Sequence, residues 1–195
     1  MKVKITDLVS KVIKNLDENE EIIADKVEFG YPDSTLPELI ADILPDVAEN
    51  VVAGADLRDI DEWLHMDEDF EWTAPGRGEM SLPQDFLRLV VFRMSDWKMS
   101  VSSVIFADSP VYSLRFAPSA GRRGIRKSPA VAIVEGASRR FLEFIGSTDP
   151  AAYPERCGYL PVPGSCGDDS LWIPRSLLAD VVDEAALKVR SVKGS

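Results

Sequence analysis

Between Leu36 and Val52, apolar residues return at every helical step. Leu36, Leu39, Ile40, Ile43, Leu44, Val47, Ala48, Val51 and Val52 fall at i, i+3, i+4 spacing without a miss. A helix carrying that stripe has to bury it, so this segment demands a packed core. Thr35 and Glu38 form a capping-box pattern at its start, and Pro37 is tolerated in the first turn. Pro45 lacks an N–H and crowds the preceding turn, so the helix kinks or splits after about Ile43. A kink preserves the stripe, and Gly54 ends it.

Two further segments share the helical period. Ile5, Leu8, Val9, Val12, Ile13 and Leu16 predict an amphipathic helix over 6–16, with Thr6 as its cap. Leu177, Leu178, Val181, Val182, Ala185 and Val189 predict a C-terminal helix over 174–190. Between them, "DEDFEWTAPGRGEM" breaks all periodicity and marks a boundary near 67–80. Beyond it the period changes to two. Residues 86–94, "FLRLVVFRM", read as a strand, and 98–105 as its return after the "SDW" turn. Ser109 and Pro110 start a short helix. "AVAIVEG" and "RRFLEFIG" form a hairpin, and a loop follows from 146 to 171 with "YLPV" as a short strand. The expected fold is α+β: a helical bundle of N-terminal helices plus the C-terminal helix, with an inserted small antiparallel β-sheet. The expected division is 1–80 helical, 81–171 antiparallel β with loops, and 172–190 a helix packing on the helical part.

Charge is unevenly spread. Residues 1–70 carry six basic and nineteen acidic side chains, a net of −13, within a chain of net −11. Residues 86–145 carry ten basic and four acidic, a net of +6. The core of that excess is the glycine-flanked cluster Arg122, Arg123, Arg126 and Lys127. Such asymmetry suits oriented contacts with charged partners or sister subunits, although an acidic helical face also serves solubility alone. No apolar window reaches the length of a membrane helix, and the N-terminus lacks the apolar region of a secretory signal. Cys157 and Cys166 match no common zinc spacing and are expected to be reduced thiols.

Motifs for catalysis do not emerge. The lone histidine, His65, has no nucleophile motif beside it. There is no Gly-x-Ser-x-Gly, no phosphate loop and no dinucleotide fingerprint. "HMDEDF" lacks the Gly and terminal Glu of a calcium loop. An enzyme is not expected, nor a cofactor or metal. A sequence-specific DNA reader is not expected either, because neither a recognition helix nor an aromatic platform accompanies the basic cluster.

"LPQDFLRLVVFRMSDWKMSVSSVIFADSPVYSLRF", followed by "GRRGIRKSPAVAIVEG", resembles phage and prophage structural proteins of the head–tail connector (adaptor) class, in podovirus-like and crAss-like phages. The likeness rests on order and spacing. It comprises the Leu-Pro-x-Asp-Phe-Leu-Arg-Leu lead-in, the Met-Ser-x-Trp turn, the Ser-Pro-x-Tyr helix start and the basic approach to a hairpin. "LPELIADILPDVAENVV" resembles the Pro-interrupted helix of that class. The acidic stretch 56–72 and the Cys-containing loop 157–167 depart from it. The resemblance implies a virion neck protein made in the host bacterial cytoplasm. It would form a ring, twelve-membered in that class, below the portal, contact tail or other neck proteins, and touch packaged DNA non-specifically. Arg122, Arg123, Arg126 and Lys127 are then the expected contacts to partner or DNA. Arg88, Arg93 and Trp97 are the expected inter-subunit residues, because charged, apolar-alternating strands suit edges covered on assembly. Two other classes remain: a small soluble binding or regulatory module, and a metal-dependent hydrolase or nuclease using Asp67 and Asp69.

Overall fold

The computed structural model describes residues 1–19, 35–67, 69–116, 129–136, 139–167 and 169–193. It overturns the helical bundle with a small inserted sheet. Among the described residues there are four helices and ten strands in three sheets, one of them five-stranded, with 38% helix and 32% strand. The elements in chain order are β1 (Lys2–Lys4), α1 (Ile5–Asn19), α2 (Leu36–Gly54), β2 (Leu64–His65), β3 (Phe70–Ala74), β4 (Arg77–Ser81) and β5 (Phe86–Met94). Then come β6 (Ile105–Phe106), α3 (Pro110–Phe116), β7 (Ala130–Glu135), β8 (Arg140–Ile145), β9 (Pro154–Pro161), β10 (Ser170–Trp172) and α4 (Leu178–Lys193). The chain divides into two compact units: Met1–Glu62 with Pro161–Ser195, and Trp63–Leu160.

In the first unit α1, α2 and α4 pack on one another, and β1 pairs antiparallel with β10. Their apolar stripes meet: Leu8, Val12 and Leu16 from α1, Ile40, Leu44, Val47 and Val52 from α2, and Val181, Ala185 and Val189 from α4 are all buried. α2 runs as one helix through Pro45. At its start the Thr35 N–H and hydroxyl donate to the Glu38 carboxylate at 2.7 and 2.9 Å. The backbone donation, then the hydroxyl, hold the Glu38 carboxyl below its ordinary range. Asp61 accepts from the Ser176 N–H and hydroxyl at 3.2 and 2.9 Å, capping the 3-10 turn (175–177) that leads into α4.

The second unit holds the other two sheets, with strand orders β2-β9-β5 and β3-β4-β8-β7-β6. The larger is antiparallel except that β6 runs parallel to β7. Side chains from both sheets fill one core: Met80, Val131, Ile133, Leu142 and Phe144 from the larger, with Phe92, Met94, Cys157 and Tyr159 from the smaller. Phe144 is its centre, within 5.3–6.5 Å ring to ring of Phe92, Trp72, Phe70 and Trp97. The opposite face of the five-stranded sheet carries a smaller cluster, in which Phe116 and Tyr112 of α3 cover Ala130 and Ala132.

The region read as aperiodic, 67–80, holds most of the β3–β4 hairpin, Phe70–Ser81. Its turn needs Gly76 at φ 74°, where a Cβ would also strike the Ser147 carbonyl oxygen at 2.5 Å. Phe70 and Trp72 alternate with Glu71 and Thr73, but the partner of Trp72 is Gly78, which leaves no apolar mark in the sequence. Gly78 is small because a Cβ there would lie 2.4 Å from the Phe144 ring. The expected return strand over 98–105 is reduced to one bridge, Phe92 to Val101, before β6. Ser102 and Ser103 are exposed there, so nothing rewards further pairing. "YLPV" lies within and just beyond the longer β9.

Candidate functional site

Arg122, Arg123, Arg126 and Lys127 lie outside the described residues. The other expected contact residues sit on or just after β5. Arg93 is engaged across the sheet, donating from its guanidinium to Glu155 on β9 at 2.6 and 2.9 Å. Arg88 is half-buried and has a contact of its own. Trp97 is 5% exposed, packed edge-on against Phe92 and Phe144. Its burial is complete within one chain, so no neighbour is needed to cover the ring. His65 is exposed on β2, as are Asp67 and Asp69 beyond it, and no three His, Cys, Asp or Glu side chains among the described residues could hold a metal.

The most developed polar cluster in the second unit was missed from sequence. On β8, residues 142 and 144 face the main core, so Glu143 must face α3. There it is 1% exposed. In register it sits opposite Glu79 on β4 and Ala132 on β7. Two facing carboxylates repel, and a buried charge without a partner is costly. Cations answer both problems. The Arg77 Nε donates to Glu143 Oε1, and Arg139 donates to Glu79 at 2.8 Å and to Glu71 at 3.2 Å. From α3, the Tyr112 hydroxyl donates to Glu143 Oε2 at 2.6 Å. Arg77 also donates from Nη1 to the Phe116 carbonyl at 3.1 Å, the last residue of α3.

This arrangement holds protons rather than moving them. Burial, then the hydrogen bond to Glu143 and its charge, push the Tyr112 phenol up to about 12. Tyr112 therefore stays a donor near neutral pH and offers no phenolate base. Elsewhere, Asp96 gathers the turn after β8, accepting at Oδ2 from the Ser147 hydroxyl (2.9 Å) and the Thr148 and Asp149 N–H groups (2.6 and 3.2 Å). Burial raises the Asp96 carboxyl, but these hydrogen bonds outweigh it and the net shift is downward. Burial pushes the Cys157 thiol up to about 12, which suppresses the thiolate.

An apolar ledge stands on the α3 side of the unit. Val111 and Leu114, 48% and 49% exposed on α3, form it; Phe106, 55% exposed at the end of β6, alternates with Ile105, which packs under α3, and so belongs to the other face of the sheet. α3 packs on β6, and the Ser109 N–H donates to the Phe106 carbonyl at 3.0 Å, so the two elements belong to one local structure. The helix explains the split: Tyr112 and Phe116, four apart, turn to the sheet, while Val111 and Leu114, three apart, turn outward. The sequence signal was present in "SPVYSLRF", whose apolar residues exceed what one face of a two-turn helix can bury.

No protein-family model matches this chain. A search of curated proteins gives no match either.

Proposed function

We propose that this chain is a virion structural protein of the head–tail connector (adaptor) class. In this reading it joins further copies of itself in a ring below the portal and docks tail or neck proteins on the other side. Packaged DNA would meet its cations non-specifically. The observation that carries the reading is the outward ledge of Val111 and Leu114 on α3. Scattered exposed apolar residues are ordinary, but two on the outer face of one short helix, with a third exposed at Phe106 of the neighbouring strand, favour a protein partner.

A ring of identical subunits needs a heterologous contact, in which two different patches meet. The charge asymmetry supports such a pairing: −13 over residues 1–70 against +6 over 86–145. The basic residues Arg122, Arg123, Arg126 and Lys127 follow α3 directly in sequence and serve, in this proposal, as the charged part of the contact. Repulsion between acidic segments keeps the free subunit monomeric until a portal gathers copies.

Sedimentation with and without portal protein tests this. The wild type is expected to run as a monomer alone at micromolar concentration and to bind portal. Val111→Ser and Leu114→Ser together are expected to preserve folding and abolish binding. Changing Arg122, Arg123, Arg126 and Lys127 to Ser is expected to weaken binding, most at low ionic strength. Stable rings without portal would refute templated assembly. Absence of the protein from purified virions would refute the class.

A further inference from the structure

We infer that α3 is a separately opening element, latched to the five-stranded sheet by the Arg77–Glu143–Tyr112 cluster, so that breaking the latch releases α3 without unfolding the sheet beneath it. Three observations lead there. First, α3 has seven residues, too few to persist as a helix without tertiary support. Second, its apolar support is small. Phe116 is its one buried side chain, stacked on Tyr112 at 4.9 Å over Ala130 and Ala132. The main core lies on the other face of the sheet and draws on β5 and β9, so the strands keep most of their packing when α3 leaves.

Third, the polar contacts of Tyr112 and of the Phe116 carbonyl converge on one sheet carboxylate. Tyr112 reaches Glu143 from the middle of α3, and Arg77 joins Glu143 to the final carbonyl of α3. The guanidinium thus neutralises the buried carboxylate and sits at the negative end of the helix at once. Loss of one partner leaves the others uncompensated, which makes the set cooperative. Opening lets water reach Glu143, so a lost latch shifts the balance toward the open form. Val111 and Leu114 ride on α3. If the assembly reading above is right, the latch also decides whether the ledge is presented.

Hydrogen–deuterium exchange on the free subunit tests the latch without reference to any partner. In the wild type, amides of 112–116 are expected to exchange with little urea dependence, while those of β8 show the steep dependence of global opening. Tyr112→Phe keeps the ring stack and removes the hydroxyl. It is expected to speed exchange over 112–116 by roughly 10- to 100-fold, since a hydrogen bond to a charged group is lost, with β4, β7 and β8 unchanged. Glu143→Gln is expected to do at least as much. Equal acceleration across β4, β7, β8 and α3 would overturn the proposal, as would unchanged exchange at 112–116 in Tyr112→Phe.

Discussion

Replacing Phe144 with Ala should nearly unfold the second unit. The ring is fully buried and meets four other aromatic rings, with centroids 5.3 Å from Phe92, 5.6 Å from Trp72, 6.4 Å from Phe70 and 6.5 Å from Trp97. Truncating a buried Phe costs about 3–5 kcal/mol, through lost transfer energy and the cavity left behind. The ring geometry places this site at the upper end, because each aromatic pair adds roughly 0.5–1.5 kcal/mol beyond its area. Collapse cannot refill the space easily, since the opposing position is Gly78. Against a total of about 5–15 kcal/mol for a typical domain, a loss near 4–5 leaves little. With a urea slope of about 1–3 kcal/mol/M, the midpoint should fall by roughly 1.3–5 M. Trp63, Trp72 and Trp97 lie in this unit and only Trp172 in the other, so a fluorescence-detected urea titration reports the right transition. Far-UV circular dichroism of α1, α2 and α4 serves as the control. Phe144→Leu keeps most of the volume and should cost about 1–2 kcal/mol. A Phe144→Ala loss under about 1 kcal/mol would refute the placement of this ring at the centre of the core.

In the other unit, Leu177→Ala should cost about 2–5 kcal/mol and Leu178→Ala clearly less, read by thermal melts, because Leu177 is buried whereas Leu178 is half-exposed. Cys166, half-exposed, should react with a thiol reagent in the native protein while Cys157 reacts only on unfolding. The raised Cys157 thiol gives stability that is full below pH 9 and lost as pH climbs from 9 toward about 12, measurable as a falling unfolding midpoint that Cys157→Ser weakens. Asp96→Ala should cost about 1–3 kcal/mol by removing the charged acceptor of the buried Ser147 hydroxyl and of the Thr148 and Asp149 N–H groups. Because the Asp96 carboxyl is lowered in the folded state, its contribution is present above pH 3.8 and lost as pH falls below it, so the penalty of Asp96→Ala should shrink in acid.

The long helical stripes were legible because period 3.6 repeats many times over α1, α2 and α4. β5, β7 and β8 were legible because each carries a run of buried apolar residues. β1, β10 and the β3–β4 hairpin were not, for they are three to five residues long and give the period too few repeats to register. Misjudging those short strands made the sheet look small and the helices look like a bundle. Glu143 is the instructive case within the candidate site. In "RRFLEFIG" it reads as the solvent side of a strand, and nothing local says that a helix thirty residues earlier covers that side. Trp97 shows the same limit from the other side, since a Trp at a turn looks exposed until Phe92 and Phe144 are seen to enclose it. The ledge was half-visible, as an apolar excess in a short helix whose inward face only the sheet could define.

The first unit is assembled from two stretches, 1–62 and 161–195, with residues 63–160 between them. On a ribosome the order of completion is therefore reversed. The second unit is contiguous and can close as soon as it emerges. The stripes of α1 and α2 must wait for α4, which is made after the whole of the second unit. At roughly 5–20 residues per second, the 139 residues from the end of α2 to the end of α4 take roughly 7–28 s. During that delay Leu8, Val12, Ile40 and Leu44 lack the α4 surface they finally meet, and a chaperone or a neighbouring nascent chain has time to reach them. The dense acidic charge of residues 1–70 is then an asset to the unfinished chain, because like charge holds such intermediates apart until the last helix arrives.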